Sequence, residues 1–294
     1  MSAARHTPPP DPVPPGLHLV AVPIGAARDV TLRALDLLAG ADVLAAEDTR
    51  SLRRLLEIHG IALGERPLLS YHEHSSPGVR ARLAAALAEG RSVAYASEAG
   101  TPLIADPGFR LAAEARAAGA PVRAAPGASA VMAALVVAGL PTDRFLFAGF
   151  LPPKRAARRA ALAELGAARA TLVLYESPKR LAALLGDAAE VLGAREAAVC
   201  RELTKRFEEV ARGSLDALAE RYAAAAARGE IVVVIDRGAA EAPGEAEVEA
   251  ALAAAMDRMS VKSAVKDVSE RMGVARRQVY DLALRMKDGA DDDD

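Results

Sequence analysis

Four carboxylates stand where a proton could be drawn from a weak nucleophile: Glu47 and Asp48 in AAEDTR, Glu176 in YESPKR and Glu202 in RELTK. Each follows an apolar run of strand length, and each has an arginine or lysine within four residues. A base placed against a reacting hydroxyl is worth about 10²–10⁴-fold in rate. The competing reading of each acid is an ion pair with its basic neighbour, which in EDTR is Arg50. No histidine lies in a motif of this kind. The single cysteine, Cys200, cannot close an internal disulfide, and no Cys/His spacing suits zinc, so no metal is expected.

Three loops after apolar runs carry unusual backbone chemistry. In VAVPIGAARDVT, Pro23, Ile24 and Gly25 turn the chain sharply, and a residue without Cβ allows close approach to a ligand; Asp29 is the expected cap of the helix that follows. In SEAGTPLIADPGFR, Gly100, Pro102, Pro107 and Gly108 shape the backbone while Glu98 and Asp106 supply acceptors. In APGASAV, Pro126 and Gly127 end a strand and Ser129 opens a helix. Strand-to-helix loops of this kind are expected at the carboxyl ends of strands, where open α/β sheets bind ligands.

The elements that must hold these loops alternate. LHLVAV, ADVLAAED, PLLSY, SVAYAS and PVRAAPG read as strands separated by helical segments, which implies an α/β unit with largely parallel strands over 17–126. A second α/β unit is expected over 127–238, from the apolar helix ASAVMAALVVAG through the strands RFLFAGF, ATLVLYES, AAVCREL and EIVVVID. Residues 1–16, rich in proline, read as a disordered, solvated arm. A Gly/Pro/Glu linker at 239–247 precedes a helical extension at 248–288, and 289–294 form an acidic tail. In the extension Ser260 is a helix cap and Gly273 a stop, giving the texture of a helix-turn-helix. Its basic residues include Lys262, Lys266, Arg271, Arg276, Arg277 and Arg285.

Several classes lose their support. No G-x-G-x-x-G follows the first strand and no Gly-Lys pair exists, which removes the dinucleotide and P-loop signatures. A hydrolase built on Ser129 fails because Val131 stands where its elbow needs glycine and all five histidines precede the serine. Net charge is −2, with 3 % aromatic residues and no Trp, so RNA binding here would rest on local charge rather than on stacking platforms. No run approaches the ~20 apolar residues of a membrane span and the N-terminus lacks a signal peptide's apolar core. A soluble protein of the reducing cytoplasm is expected.

Taken together, LHLVAVPIGAARDVTLRALDLLAGADVLAAEDTR, SEAGTPLIADPGFRL, PGASAV, GLPTDRFLFAGFLPPKRAARRAAL, YESPKRL, CRELTKRFEEVARGSL and GEIVVVI resemble the tetrapyrrole methylase superfamily, in order from Leu17 to about Asp236. Within it they resemble the branch that methylates a cytidine 2′-hydroxyl in small-subunit (16S) ribosomal RNA, and SVKSAVKDVSERMGVARRQVYDLAL matches that branch's C-terminal extension. The resemblance implies two α/β domains with S-adenosylmethionine in the cleft between them, a homodimer, and 16S rRNA or the small subunit as partner. It implies cofactor contacts from Pro23, Ile24, Gly25, Glu98, Ala99, Gly100, Asp106, Ser129, Ala130, Phe150 and Leu151; Glu98 stands where the family usually has Asp. The segments EDTRSLRR, PPKRAARR, SPKR and RELTKR supply Arg50, Arg53, Arg54, Lys154, Arg155, Arg158, Lys179, Arg180 and Lys205 as phosphate contacts. Two other functions compete: methylation of a small tetrapyrrole, which needs fewer cations, and a nucleic-acid-binding regulator led by the C-terminal helices.

Overall fold

The computed structural model describes residues 12–72, 75–105, 108–238 and 244–291. The first half alternates strand and helix: β1 (Gly16–Val20), α1 (Leu32–Gly40), β2 (Val43–Ala46), α2 (Thr49–Ile58), β3 (Leu68–Ser70), α3 (Pro77–Ala88), β4 (Ser92–Ala96), α4 (Phe109–Ala117) and β5 (Val122–Ala125). The strands are all parallel, in the order β3-β2-β4-β1-β5. Helices cover both faces, so β2 and β4 are buried along their whole length and read as continuous apolar runs. Leu38, Leu44 and Leu52 belong to the core on one face, and Leu17, Leu83 and Tyr95 to that on the other.

This strand order creates a crevice. From β1 the chain crosses to β2 on one side; from β4 it crosses to β5 on the other. The loops leaving β1 and β4 therefore diverge from neighbouring strands, the position at which open α/β sheets leave room for a ligand.

The second half comprises α5 (Ala130–Ala138), β6 (Phe145–Phe150), α6 (Arg155–Gly166), β7 (Thr171–Glu176), α7 (Leu181–Leu192), β8 (Glu196–Arg201), β9 (Glu209–Ser214), α8 (Leu215–Ala224) and β10 (Ile231–Ile235). Its sheet runs β6-β7-β10-β8-β9. Only β6 and β7 are parallel; the remaining pairs are antiparallel. The expectation of largely parallel strands, made for the first unit, holds there; the second sheet is mixed. Strand β9 lies outside the expected set because its sequence, EVARGS, lacks an apolar run; it forms as an edge strand against β8.

Both sheets belong to one compact body ending at Gly238, and residues from Ala239 to a second. That second body holds α9 (Glu245–Met256), α10 (Val261–Met272) and α11 (Arg276–Asp291), packed around Val248, Leu252, Val265, Val268, Val279 and Leu282. The Ser260 hydroxyl accepts from Ser263 N, and Gly273 ends α10 at φ 67°, as expected. Residues 245–247 of the expected linker are helical, because Glu245 and Glu247 suit the positive end of α9. The expected arm differs at its end: Val13 packs on the first core, the Pro15 carbonyl accepts from Arg123, and the His18 ring bonds the Pro14 carbonyl. Its residues 1–11, with 239–243 of the linker and 292–294 of the tail, lie outside the described residues. Thr31, not Asp29, caps α1, its hydroxyl accepting from Ala34 N, while Asp29 closes a short 3₁₀ turn.

Candidate active-site cleft

The loops that leave β1 and β4 are joined at the crevice. Val22 N donates to the Gly100 carbonyl at 2.9 Å and Gly100 N to the Val22 carbonyl at 3.1 Å. Gly100 does this at φ 73°, where a side chain is strained, and a Cβ there would press Ile24 at 3.2 Å. The third loop is tied to the second by Thr101 Oγ1, which donates to the Ala128 carbonyl at 2.9 Å. From the other sheet the β8–β9 loop reaches across, and its Thr204 hydroxyl accepts from Ala26 N at 3.1 Å. A Cβ on Gly25 would stand 2.5 Å from Lys205 Cγ and 2.7 Å from Thr204 Oγ1. Glycine at 25 is what lets the two sheets' loops meet. The β8–β9 loop makes its turn with Glu202 and Thr204 at φ 51° and 63°, a conformation unfavourable to both residue types.

Between these loops lies a cavity of about 530 Å³, within the roughly 300–1,000 Å³ of small-molecule sites. Of the expected cofactor contacts, Pro23, Ile24, Gly25, Glu98, Ala99, Gly100, Ser129, Ala130 and Phe150 line it. Leu151 does not: its side chain is buried in the core beneath α6 and α7, and its carbonyl accepts from Arg180. Asp106 lies outside the described residues. Sequence reasoning missed Ser51, Tyr175, Leu203 and Glu230 on the wall. Glu230 was hidden by a rule of thumb: β10 runs antiparallel to β7 and β8, so its beginning meets their carboxyl ends.

The four carboxylates separate by environment. Glu47 and Glu176 face the cavity, one from each sheet. Glu47 Oε2 accepts from Glu98 N at 3.2 Å, which bridges the ends of β2 and β4. The Glu176 side chain is fully buried. Its Oε1 accepts from Ser177 N at 2.7 Å, whereas Oε2 lies 3.2 Å from Arg180 Nη2 without hydrogen-bond alignment and has no other partner among the described residues. Asp48 caps α2, accepting from Arg50 N at 2.8 Å, and grips the Arg50 guanidinium; bonds to that side chain and backbone hold its carboxyl down at about 2. Glu202 takes bonds from Glu230 N and Lys205 Nζ, which depress its carboxyl in that order of importance. Asp48 and Glu202 are therefore ion-pair partners rather than bases, the competing reading for those two. Cys200 borders the cavity, but burial pushes its thiol up to about 11, and it stays protonated.

The cations separate too. Arg158 is a correction: it is 5 % exposed and buried against Asp187, Nε donating to Oδ2 at 2.8 Å, so it cannot reach a phosphate. It falls inward because it lies on the face of α6 that also buries Leu162. Arg155 pairs with Asp187 and Glu190, Arg180 with Glu176, and Arg50 with Asp48. Lys205 lines the cavity between Glu202 and Glu230; burial lowers its ammonium's pKa, but the bonds to both acids outweigh this and the net shift is upward. Exposed Arg54 lies 3.7 Å from Glu57. Among the described residues Arg53, Lys154 and Lys179 are exposed with no ion pair.

A family model described as "Tetrapyrrole (Corrin/Porphyrin) Methylases" matches residues 16–219, and one described as "RsmI C-terminal HTH domain" matches 242–287. The "Ribosomal RNA small subunit methyltransferase I" of Mesorhizobium japonicum is 46 % identical, covering 96 % of each chain. The protein of that name from Mycobacterium tuberculosis is 47 % identical over 92 % of this chain and 95 % of its own. Among solved structures, diphthine synthase superposes with a TM-score of 0.57 at 17 % identity, covering 75 % of this chain and 89 % of that one. A Thermus thermophilus uroporphyrin-III C-methyl transferase complexed with S-adenyl homocysteine gives 0.52 at 18 %, covering 75 % and 97 %. These two likenesses are of fold.

Proposed function

The chain belongs to the tetrapyrrole methylases and, within them, to the ribosomal RNA small subunit methyltransferase I family, and from that membership we propose that it methylates a cytidine 2′-hydroxyl of small-subunit (16S) ribosomal RNA with S-adenosylmethionine. The observation that carries this reading is the joined, glycine-lined cleft of a chain 46 % identical to such an enzyme along nearly its whole length. A tetrapyrrole substrate is disfavoured, since the likeness to solved tetrapyrrole enzymes is one of fold at 17–24 % identity, as with precorrin-4 methyltransferase, CobJ and uroporphyrin-III-C-methyltransferase.

The cleft fits the donor. Ile24, Gly25, Ala99, Gly100, Ser129 and Ala130 offer backbone groups with little side-chain bulk, and Phe150 offers an apolar wall, suited to a molecule with an amino-acid end, a ribose and an adenine. Buried Glu176 Oε2, in ion contact with Arg180 but accepting no hydrogen bond, has capacity for a donor group there. S-Adenosylmethionine supplies a methyl on a sulfonium: the ribose oxygen's lone pair forms the new C–O bond as the S–C pair leaves with sulfur. The chain's part is to hold the two reactants in line, a contribution that reaches about 7–11 kcal/mol for well-oriented groups, and to give the hydroxyl proton an acceptor. Glu47 and Glu176 are the carboxylates placed for that. Arg53, Lys154 and Lys179, with Arg54, hold phosphates and set the register of the RNA.

The chain acts in the cytoplasm as a homodimer. Met132 and Val136, one turn apart on α5 and 51 % and 76 % exposed, support a partner for that apolar face. Incubation with labelled S-adenosylmethionine and either small subunits lacking the modification or a porphyrinoid tests the function. Label should enter RNA and map to a cytidine ribose. Label in the porphyrinoid, or in neither, would refute it.

A further inference from the structure

A smaller pocket of about 160 Å³ opens beside the main cleft, between α2 and the loops that leave β1 and β4. Its walls are aliphatic, from Val22, Leu52, Leu55 and Ile58, and its polar groups include Ser51 and Arg54. Pro23, Gly25, Ser51 and Glu98 line both cavities, so the pocket and the cleft share a rim. Glu47, which lines the cleft at the end of β2, stands four residues before Ser51 and bonds the backbone of Glu98 on that rim.

A transfer between two bound molecules needs two sites that meet at the reacting atoms. The larger cavity has the size and the backbone lining of the donor site. We propose that the side pocket receives the base of the acceptor nucleotide, so that its ribose rests on the shared rim with the 2′-hydroxyl directed to Glu47. The inference rests on the methyl-transfer function above and adds the substrate's seat and the proton's destination.

Size and chemistry agree with a single ring. The pocket's volume of about 160 Å³ is close to that of a roughly 150 Å³ cavity that takes up a single benzene ring. Ile58 stays 39 % exposed on its wall, an apolar surface that a planar base would cover. A base reaches such a pocket by leaving its stack, which costs a few kcal/mol and is least for an unpaired nucleotide. The Arg54 side chain, 74 % exposed, and Arg53 beside it on α2 lie where they can hold the flanking phosphates. When the ribose oxygen takes the methyl group, its proton passes to the Glu47 carboxylate and from there to water, leaving Glu47 ionised for the next cycle.

Two measurements test this. Ile58→Trp fills the pocket from its exposed wall. Calorimetry with S-adenosylmethionine should give a Kd within twofold of the unaltered chain, while KM for small subunits rises at least tenfold. Unchanged transfer kinetics would overturn the proposal, and so would a loss of donor affinity as large as the loss of transfer. The second measurement uses the unaltered chain and small subunits carrying a purine at the mapped position. Methylation should slow at least tenfold; an equal rate would overturn the single-ring seat. Failure of the underlying function shows itself earlier and separately, as an unaltered chain that transfers no methyl group to any ribose.

Discussion

Removing either partner of the Arg158–Asp187 pair separates a structural from an RNA-binding role. The two side chains are 6 % and 4 % exposed. Arg158 Nε donates to Asp187 Oδ2 at 2.8 Å and Nη1 to the Pro153 carbonyl at 3.2 Å, while Asp187 Oδ1 also receives Arg155 Nε at 3.0 Å. Breaking a buried pair from one side costs about 3–5 kcal/mol because a charge is left behind. Arg158→Ala leaves Asp187 with Arg155 and belongs near the lower end. Asp187→Ala leaves the Arg158 guanidinium with one carbonyl and belongs near the upper end. At about 2–4 °C per kcal/mol for a body of this size, the losses in Tm are about 6–12 °C and about 10–20 °C. Circular dichroism melts read them directly. Arg158→Met with Asp187→Leu removes both charges and should recover most of the loss. RNA affinity measured against salt supplies the opposite test, since a phosphate contact contributes about 0.7–0.9 to the log–log slope. An Arg158→Ala chain that melts within about 2 °C of the parent, with a slope lowered by that amount, would show that the burial argument is wrong.

Gly25→Val places a branched side chain where even a Cβ stands 2.5 Å from Lys205 Cγ; donor affinity measured by calorimetry should fall at least about tenfold, or about 1.4 kcal/mol, and unchanged affinity would remove Gly25 from the cleft. Acid stability draws on the carboxyls that folding depresses, among them Asp42, whose pKa is lowered by the Ser92 side chain and backbone, and Asp187, whose burial would raise it but whose bonds to Arg158 and Arg155 prevail. Groups depressed by folding stabilise above their unfolded pKa and lose that contribution as pH falls through the folded one, so Tm should hold from about pH 5 to 7 and decline below about pH 4, with Asp42→Asn declining less. Replacing Arg53, Lys154 and Lys179 together with Ala should lower the salt slope of RNA binding by about 2–3 and leave donor affinity unchanged; a constant slope would mean that these cations do not meet phosphate.

The first sheet and its loops were legible because one physical rule covers them: parallel strands between helices bury both faces, so their sequences read as unbroken apolar runs, and Gly and Pro mark where they stop. That is why Pro23, Gly25, Gly100 and Ser129 are legible as loop residues at the carboxyl ends of strands, where they line the cavity. The rule weakened in the second sheet. Strand β9, with Val210 and Ala211 as its apolar residues, needs a single buried face at a sheet edge and leaves little trace in hydrophobicity. Glu230 lies at the cleft because β10 is reversed, and strand direction is a property of pairing rather than of the strand's own residues.

Charge was the least legible property. PPKRAARR reads as a uniform basic patch, yet helical rotation sends Arg158 inward to Asp187 and leaves Lys154 exposed. Similarly, Asp48 and Glu47 are adjacent in sequence, but the first residue caps α2 while the second remains at a strand end facing the cavity. A carboxylate that must satisfy backbone N–H groups of a helix and an arginine together is held ionised and is a poor base. The neighbour without those obligations faces the cavity, which is what the role proposed for Glu47 as proton acceptor requires.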